Sequence, residues 1–201
     1  MSMGFILFIL LILLSLSLFL SLYKKGPLKR IIYSFRILTV VLGVAFFTYW
    51  FVEKSLDKFM KNAIGLQLIN ELPQPLDFYI ITVEKKDGEK VYQTEHLGKL
   101  RTDHYRINYL KMANSNEYWV VGYLGKNLSY FSAQFVPNKS MDQIVNVNNY
   151  TVESEQLSEI AKLHVDDYRS KDLRTAVRVT LVLLLLFLNI GWLMTKDKGD
   201  H

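Results

Sequence analysis

The 201-residue chain has no cysteine. That excludes a disulfide scaffold, thiolate zinc and iron–sulfur sites, covalent c-type haem attachment and a cysteine nucleophile. Charge is missing too, with none from Gly4 to Tyr23 and no acidic residue from Lys24 to Arg30. Motifs for chemistry are equally scarce. The histidines show no HExxH, H-x-E or His-x3-His spacing, and Ser129, Ser132 and Ser140 lack a G-x-S-x-G elbow. Gly122-x2-Gly125-Lys126 has neither the spacing nor the context of a phosphate loop. No metal, cofactor or catalytic residue is therefore expected.

What the chain has in abundance is long apolar runs. Hydrophobic residues make up 50% of it, and they concentrate in three blocks: 4–23, 31–52 and 175–194. A twenty-residue helix rises about 30 Å, enough to cross the hydrocarbon core of a bilayer. The first block is expected to be a retained span, since no basic residue precedes it and Lys24 and Lys25 follow it instead of a small-x-small cleavage site. Tyr49, Trp50 and Trp192 lie at block ends, where amphipathic aromatics collect.

The loop 24–30 carries Lys24, Lys25, Lys29 and Arg30, so the positive-inside rule assigns it to the cytoplasm. The N-terminus is then outside, residues 53–174 are extracytoplasmic, and 195–201 form a cytoplasmic tail. The expected location is the cell (cytoplasmic) membrane. The outer segment holds 16 Lys/Arg and 17 Asp/Glu, a net charge of 16 − 17 = −1. The chain's overall +5 is thus a topology signal, and interleaved charges give no footprint for nucleic acid.

Within the spans, Arg36 and Arg178 are the only charges. Both lie near span ends and are expected to snorkel toward headgroups. Asn189 should share the depth of Arg36 on an antiparallel neighbour, which suggests an Arg36–Asn189 hydrogen bond between the second and third spans. Ser17 and Ser21 form a small-x3-small pair that would pack the first helix on another.

The outer segment reads as a mostly-β domain flanked by amphipathic helices. Leu56, Phe59, Met60, Ala63 and Ile64 recur at helical spacing, predicting a helix over 53–70 that Pro73 and Pro75 stop. A second helix over 153–169 places Leu157, Ile160, Ala161, His164 and Tyr168 on one face, with Thr151 as N-cap and Glu153 and Glu155 in its first turn. Between them, over 77–148, strands are expected at 78–84, 90–95, 104–111, 117–124, 128–136 and 143–148. Asp87-Gly88 should make the first hairpin, setting Val83 opposite Tyr92 and Ile81 opposite Thr94. The result is an antiparallel meander or an immunoglobulin-like sandwich, or else an α+β sheet packed by the 153–169 helix. Residues 100–105, ending in Tyr105 after a tight turn, resemble the tyrosine corner of immunoglobulin-like domains. Tyr105 and Tyr109, Trp119 and Tyr123, and Phe131 and Phe135 align in pairs along strand faces and are expected in the core. Three sequons (Asn127, Asn138 and Asn149) fall on the outer side.

Asp103 and His104, with His96, are the weak candidates for a polar site. A short inner loop and tail leave no cytoplasmic output for a receptor, and no polar midplane site suggests a carrier. The expected function is a non-catalytic accessory subunit, whose bilayer-embedded helices pack on partner subunits while the outer domain docks a partner or ligand. The alternatives are a membrane-tethered enzyme or ligand-binding domain acting on envelope material, and a homo-oligomeric channel or transporter lined by Arg36 and Asn189.

Overall fold

The computed structural model describes residues 3–22, 28–56, 63–86, 88–112, 115–139 and 141–196. Among the described residues, three helices and seven strands form two units: a helical unit of residues 1–56 with 171–201, and a β unit of 57–170.

The helical unit contains α1 (Met3–Leu20), α2 (Leu28–Leu56) and the later part of α3 (Glu155–Lys196). All three helices are long and apolar enough to cross a membrane. Each turns one narrow stripe inward at alternating three- and four-residue steps: Leu7, Leu10, Leu14 and Ser17 on α1, Arg36, Thr39 and Gly43 on α2, and Val182, Leu186 and Asn189 on α3. Gly4 lies against Arg178 and Ser17 against Asn189, so α1 and α3 run parallel. Arg36 lies near Trp192 and Gly43 near Leu186, so α2 runs the opposite way. A Cβ at Gly43 would stand 3.0 Å from Leu186 Cδ1, which is how α2 and α3 approach closely. The remaining faces expose Phe5, Phe8, Phe19, Leu38, Leu184 and Phe187, an apolar exterior that water does not favour.

The β unit contains β1 (Ala63–Asn70), β2 (Leu76–Lys86), β3 (Glu89–Leu100), β4 (His104–Lys111), β5 (Ser115–Leu124), β6 (Asn127–Phe135), β7 (Gln143–Val147) and the opening turns of α3. One sheet has the order β4-β1-β7, the other β3-β2-β5-β6. Every pairing is antiparallel except β1 with β7. Ile64, Leu66, Leu68, Leu110 and Val145 of the first sheet share a core with Phe78, Ile80, Tyr118 and Val120 of the second. The opposite face of the second sheet packs Ile81, Trp119, Val121 and Phe131 against Ala161 and Val165 of α3. The unit therefore has three layers: sheet, sheet and helix. It combines the sandwich with the helix-packed sheet, two arrangements expected as alternatives.

The hairpin register matches expectation, with Val83 opposite Tyr92 and Ile81 opposite Thr94. Gly88 has φ +86°, the left-handed conformation that a two-residue turn requires, and Asp87 lies outside the described residues.

Four expectations are corrected. Residues 63–70 are a strand, because Ile64, Leu66 and Leu68 alternate into the core while β4 and β7 take up both edges. The helix preceding them ends at Leu56, and residues 57–62 lie outside the described residues. The topology is not immunoglobulin-like, since β1 neighbours β4 and β7 and not β2. Tyr105 is 62% exposed and so is no tyrosine corner. Ser154, not Thr151, caps α3, accepting the Leu157 N–H on Oγ at 3.3 Å. Thr151 and Glu153 instead exchange backbone hydrogen bonds with Phe131 on β6.

Candidate functional site

In the helical unit, Ser17 joins the polar residues. Its hydroxyl donates to Asn189 Oδ1 at 2.9 Å, and Arg36 donates from Nε to that hydroxyl at 3.4 Å and from Nη2 to the Ser17 carbonyl at 3.1 Å. The Asn189 amide donates to the carbonyls of Leu14 at 3.2 Å and Leu185 at 2.9 Å. The expected Arg36–Asn189 contact is thus relayed through Ser17, whose small-residue role is to bond as well as to pack. Arg36 is 3% exposed and does not snorkel. Its guanidinium sits at the C-terminal end of α1, where the helix dipole is negative, and shares the Ser17 carbonyl with the Ser21 N–H, so the buried cation is stabilised without a carboxylate among the described residues. Ser21 bonds back to the Leu18 carbonyl. Arg178 remains exposed beside Gly4.

In the β unit, Asp77 on β2 collects a second network. His96 Nε2 donates to Asp77 Oδ1 at 2.7 Å and the Tyr79 hydroxyl to Oδ2 at 3.1 Å. Arg169 of α3 donates from Nε to the Tyr79 hydroxyl at 3.0 Å and lies over the Tyr79 and Tyr123 rings at 4.9 and 4.3 Å. A bulge opposite Phe78 and Tyr79, with Gly98 at φ +89°, turns the His96 ring onto Tyr79 at 4.5 Å. Burial raises the Tyr79 hydroxyl and pushes Tyr123 up to about 12. Both phenols are therefore neutral at physiological pH; that of Tyr79 is hydrogen-bonded, and that of Tyr123 is buried with no hydrogen-bond partner among the described residues. The network ties β2, β3 and α3 together.

His96 is thus the one weak polar candidate that gains a carboxylate, and sequence spacing gave no hint of it because Asp77 is nineteen residues away. Asp103 and His104 do not join it. Asp103 takes φ 57° in the β3–β4 turn, where its N–H donates to the Asn70 carbonyl at 2.7 Å. His104 Nδ1 bonds the Thr102 carbonyl at 2.8 Å. Asn70 is a further organiser that sequence reading missed: fully buried, it donates to the carbonyls of Gln74 and Leu100 and accepts the Leu72 N–H.

The aromatic pairs part company. Trp119, Tyr123 and Phe131 are buried, whereas Tyr105, Tyr109 and Phe135 are 62%, 51% and 68% exposed. For the β4 pair the reason is the layer they face: Leu110 points to the core and Tyr105, Ile107 and Tyr109 point away from it, whereas Phe135 shares the side of Phe131 and stands at the end of β6. With Ile144 of β7, 66% exposed, they make an apolar outer face on the three-stranded sheet. Comparison with known protein families, characterised proteins and solved structures finds no significant match to the chain.

Proposed function

We propose that this chain is a non-catalytic accessory subunit of a membrane complex, spanning the cell membrane three times with the β unit outside. The loop 24–30 faces the cytoplasm in this reading and the Ser17–Arg36–Asn189 knot fastens the spans to one another. The outer face of the three-stranded sheet is the docking surface. That face carries the proposal: its rows at Tyr105 and Ile107 hold no charge, and it stays exposed on a unit whose other sheet is packed on both sides. The channel alternative loses support because Arg36 and Asn189 are satisfied inside one chain's bundle. The enzyme alternative would need a nucleophile beside His96, and the hydroxyl of Tyr79, on whose ring His96 stacks, is already bonded to Asp77 and Arg169.

Fusions after Lys126 test the topology: alkaline phosphatase should be active there and green fluorescent protein dark, and cytoplasmic fluorescence would overturn it. Purification in mild detergent with mass spectrometry of co-purifying chains tests the subunit role. A monodisperse monomer that gathers no chain of any kind, itself included, sinks that reading.

A further inference from the structure

The outer face of the three-stranded sheet is organised in rows running across its strands. Tyr105, Ile69 and Asn146 form one row, and Ile107, Gln67 and Ile144 form the next. In the third, Tyr109 flanks Gly65, whose N–H donates to Asp142 Oδ1 at 3.0 Å. A Cβ added to Gly65 would meet that oxygen at 2.5 Å, so the Asp142 carboxylate lies over this face on the β7 side.

We propose that the occupant of this face is a second copy of the chain, packed sheet against sheet about a two-fold axis parallel to β1. The inference rests on the reading of the face as a docking surface and names what docks there. A two-fold axis so placed exchanges the β4 and β7 sides, and each row then meets itself reversed. Ile107 of one copy packs on Ile144 of the other. The Tyr105 hydroxyl comes opposite Asn146, and the Tyr109 hydroxyl comes opposite the Asp142 carboxylate. Gln67 and Ile69 line the axis. Apolar ends thus meet apolar ends, and phenolic donors meet an amide and a carboxylate. The first two rows hold no charged residue, so no like charges are brought together along them.

Size agrees with this occupant. Tyr105, Ile107, Tyr109 and Ile144 are between 51% and 66% exposed. At that exposure they present on the order of 500 Å² per copy, so a pair buries about 1,000 Å², where specific interfaces begin. Two sheets stacked face to face lie about 10 Å apart, a gap that these side chains fill from both sides.

The lack of native cysteine makes the test direct, because an engineered thiol is the only thiol in the chain. Full-length Gln67→Cys in native membranes, treated with a short bis-maleimide, should give a covalent dimer. Gln93→Cys, exposed on β3 of the other sheet, should not. Adding Ile107→Asp to Gln67→Cys should lower the dimer yield about tenfold or more, since each copy would press a carboxylate onto an isoleucine. No dimer from Gln67→Cys, or equal dimer from Gln93→Cys, overturns the inference. A photo-crosslinking phenylalanine in place of Ile107 separates the two levels of the proposal. An adduct containing only this chain supports both. An adduct with a different protein keeps the docking surface and overturns the second copy. No adduct overturns both.

Discussion

The β unit carries two outward sheet faces that look alike in sequence and differ in fate. On β5 and β6, Trp119, Tyr123 and Phe131 point away from the inter-sheet core, and the first turns of α3 cover them. On β4, Tyr105, Ile107 and Tyr109 point away from the same core, and they remain more than half exposed. Both faces follow a two-residue period with aromatics at the outward positions. Aromatic alternation therefore identifies a face to be buried without saying by what. The covering element decides whether that burial happens within the chain or against another molecule.

The sharpest way to break this contrast is to truncate one aromatic on the covered face. Trp119 is fully buried among Tyr92, Phe131 and the α3 layer, with its indole N–H donated to Glu117 at 2.7 Å. Trp119→Ala should cost about 3–5 kcal/mol, enough to unfold much of the β unit at ambient temperature. Loss of near-ultraviolet circular dichroism and of protease resistance would report it. A variant as stable as the parent would mean that the covered face is not a core at all.

Alkaline pH acts on the covered and inter-sheet layers together. Burial pushes Tyr118 and Tyr123 up to about 12, against 10 for a free phenol. Both are held neutral in the folded state, so their contribution is complete below pH 10. It falls as pH rises from 10 to 12, because the unfolded chain ionises first. At about 1.4 kcal/mol per unit, each tyrosine removes on the order of 2 kcal/mol across that window. Tyr118→Phe and Tyr123→Phe should each remove part of that alkaline loss; a denaturation midpoint that falls between pH 10 and 12 as steeply in both variants as in the parent would contradict the burial.

How much of this was legible depended on the range of the interaction. The β4 limits, the β2–β3 register and the apolar face of residues 157–168 follow from periods of two and 3.6 and from a Gly-containing turn. The error at residues 63–70 has a local cause. Ala63 and Ile64 extend the helical spacing of Leu56, Phe59 and Met60, while the pairing that makes β1 a strand comes from β4 and β7, dozens of residues later. Asp77–His96 and Asn70–Leu100 were hidden for the same reason. Asn189 and Arg36 stood out because polar groups are rare in apolar blocks, whereas the serine joining them was expected to pack and not to bond.

The helical knot extends the comparison to polar groups, and its expected effect is smaller. Ser17→Ala removes the hydroxyl that donates to Asn189 and accepts from Arg36, while the Ser17 carbonyl still receives Nη2. Polar contacts between membrane helices are typically worth about 0.6–2 kcal/mol, and the loss should fall in that range. Thermal aggregation in detergent would show a modest downward shift, with the β unit's near-ultraviolet signal intact. A shift as large as that of Trp119→Ala would make the knot, and not the layered β unit, the main source of stability.

The smallest effect belongs to the open face and decides what that face is for. Tyr109 is 51% exposed, so Tyr109→Ala leaves no internal cavity and should change the stability of an isolated chain by less than about 0.5 kcal/mol. Association adds a dependence that truncation of a core residue lacks: an interface formed only by folded chains stabilises them by mass action, so the melting temperature rises with concentration. The parent should show that rise and Tyr109→Ala should show less of it, the two curves converging at high dilution. If they stay apart at every dilution, the tyrosine is buried within its own chain, and the two faces differ in nothing but which segment covers them.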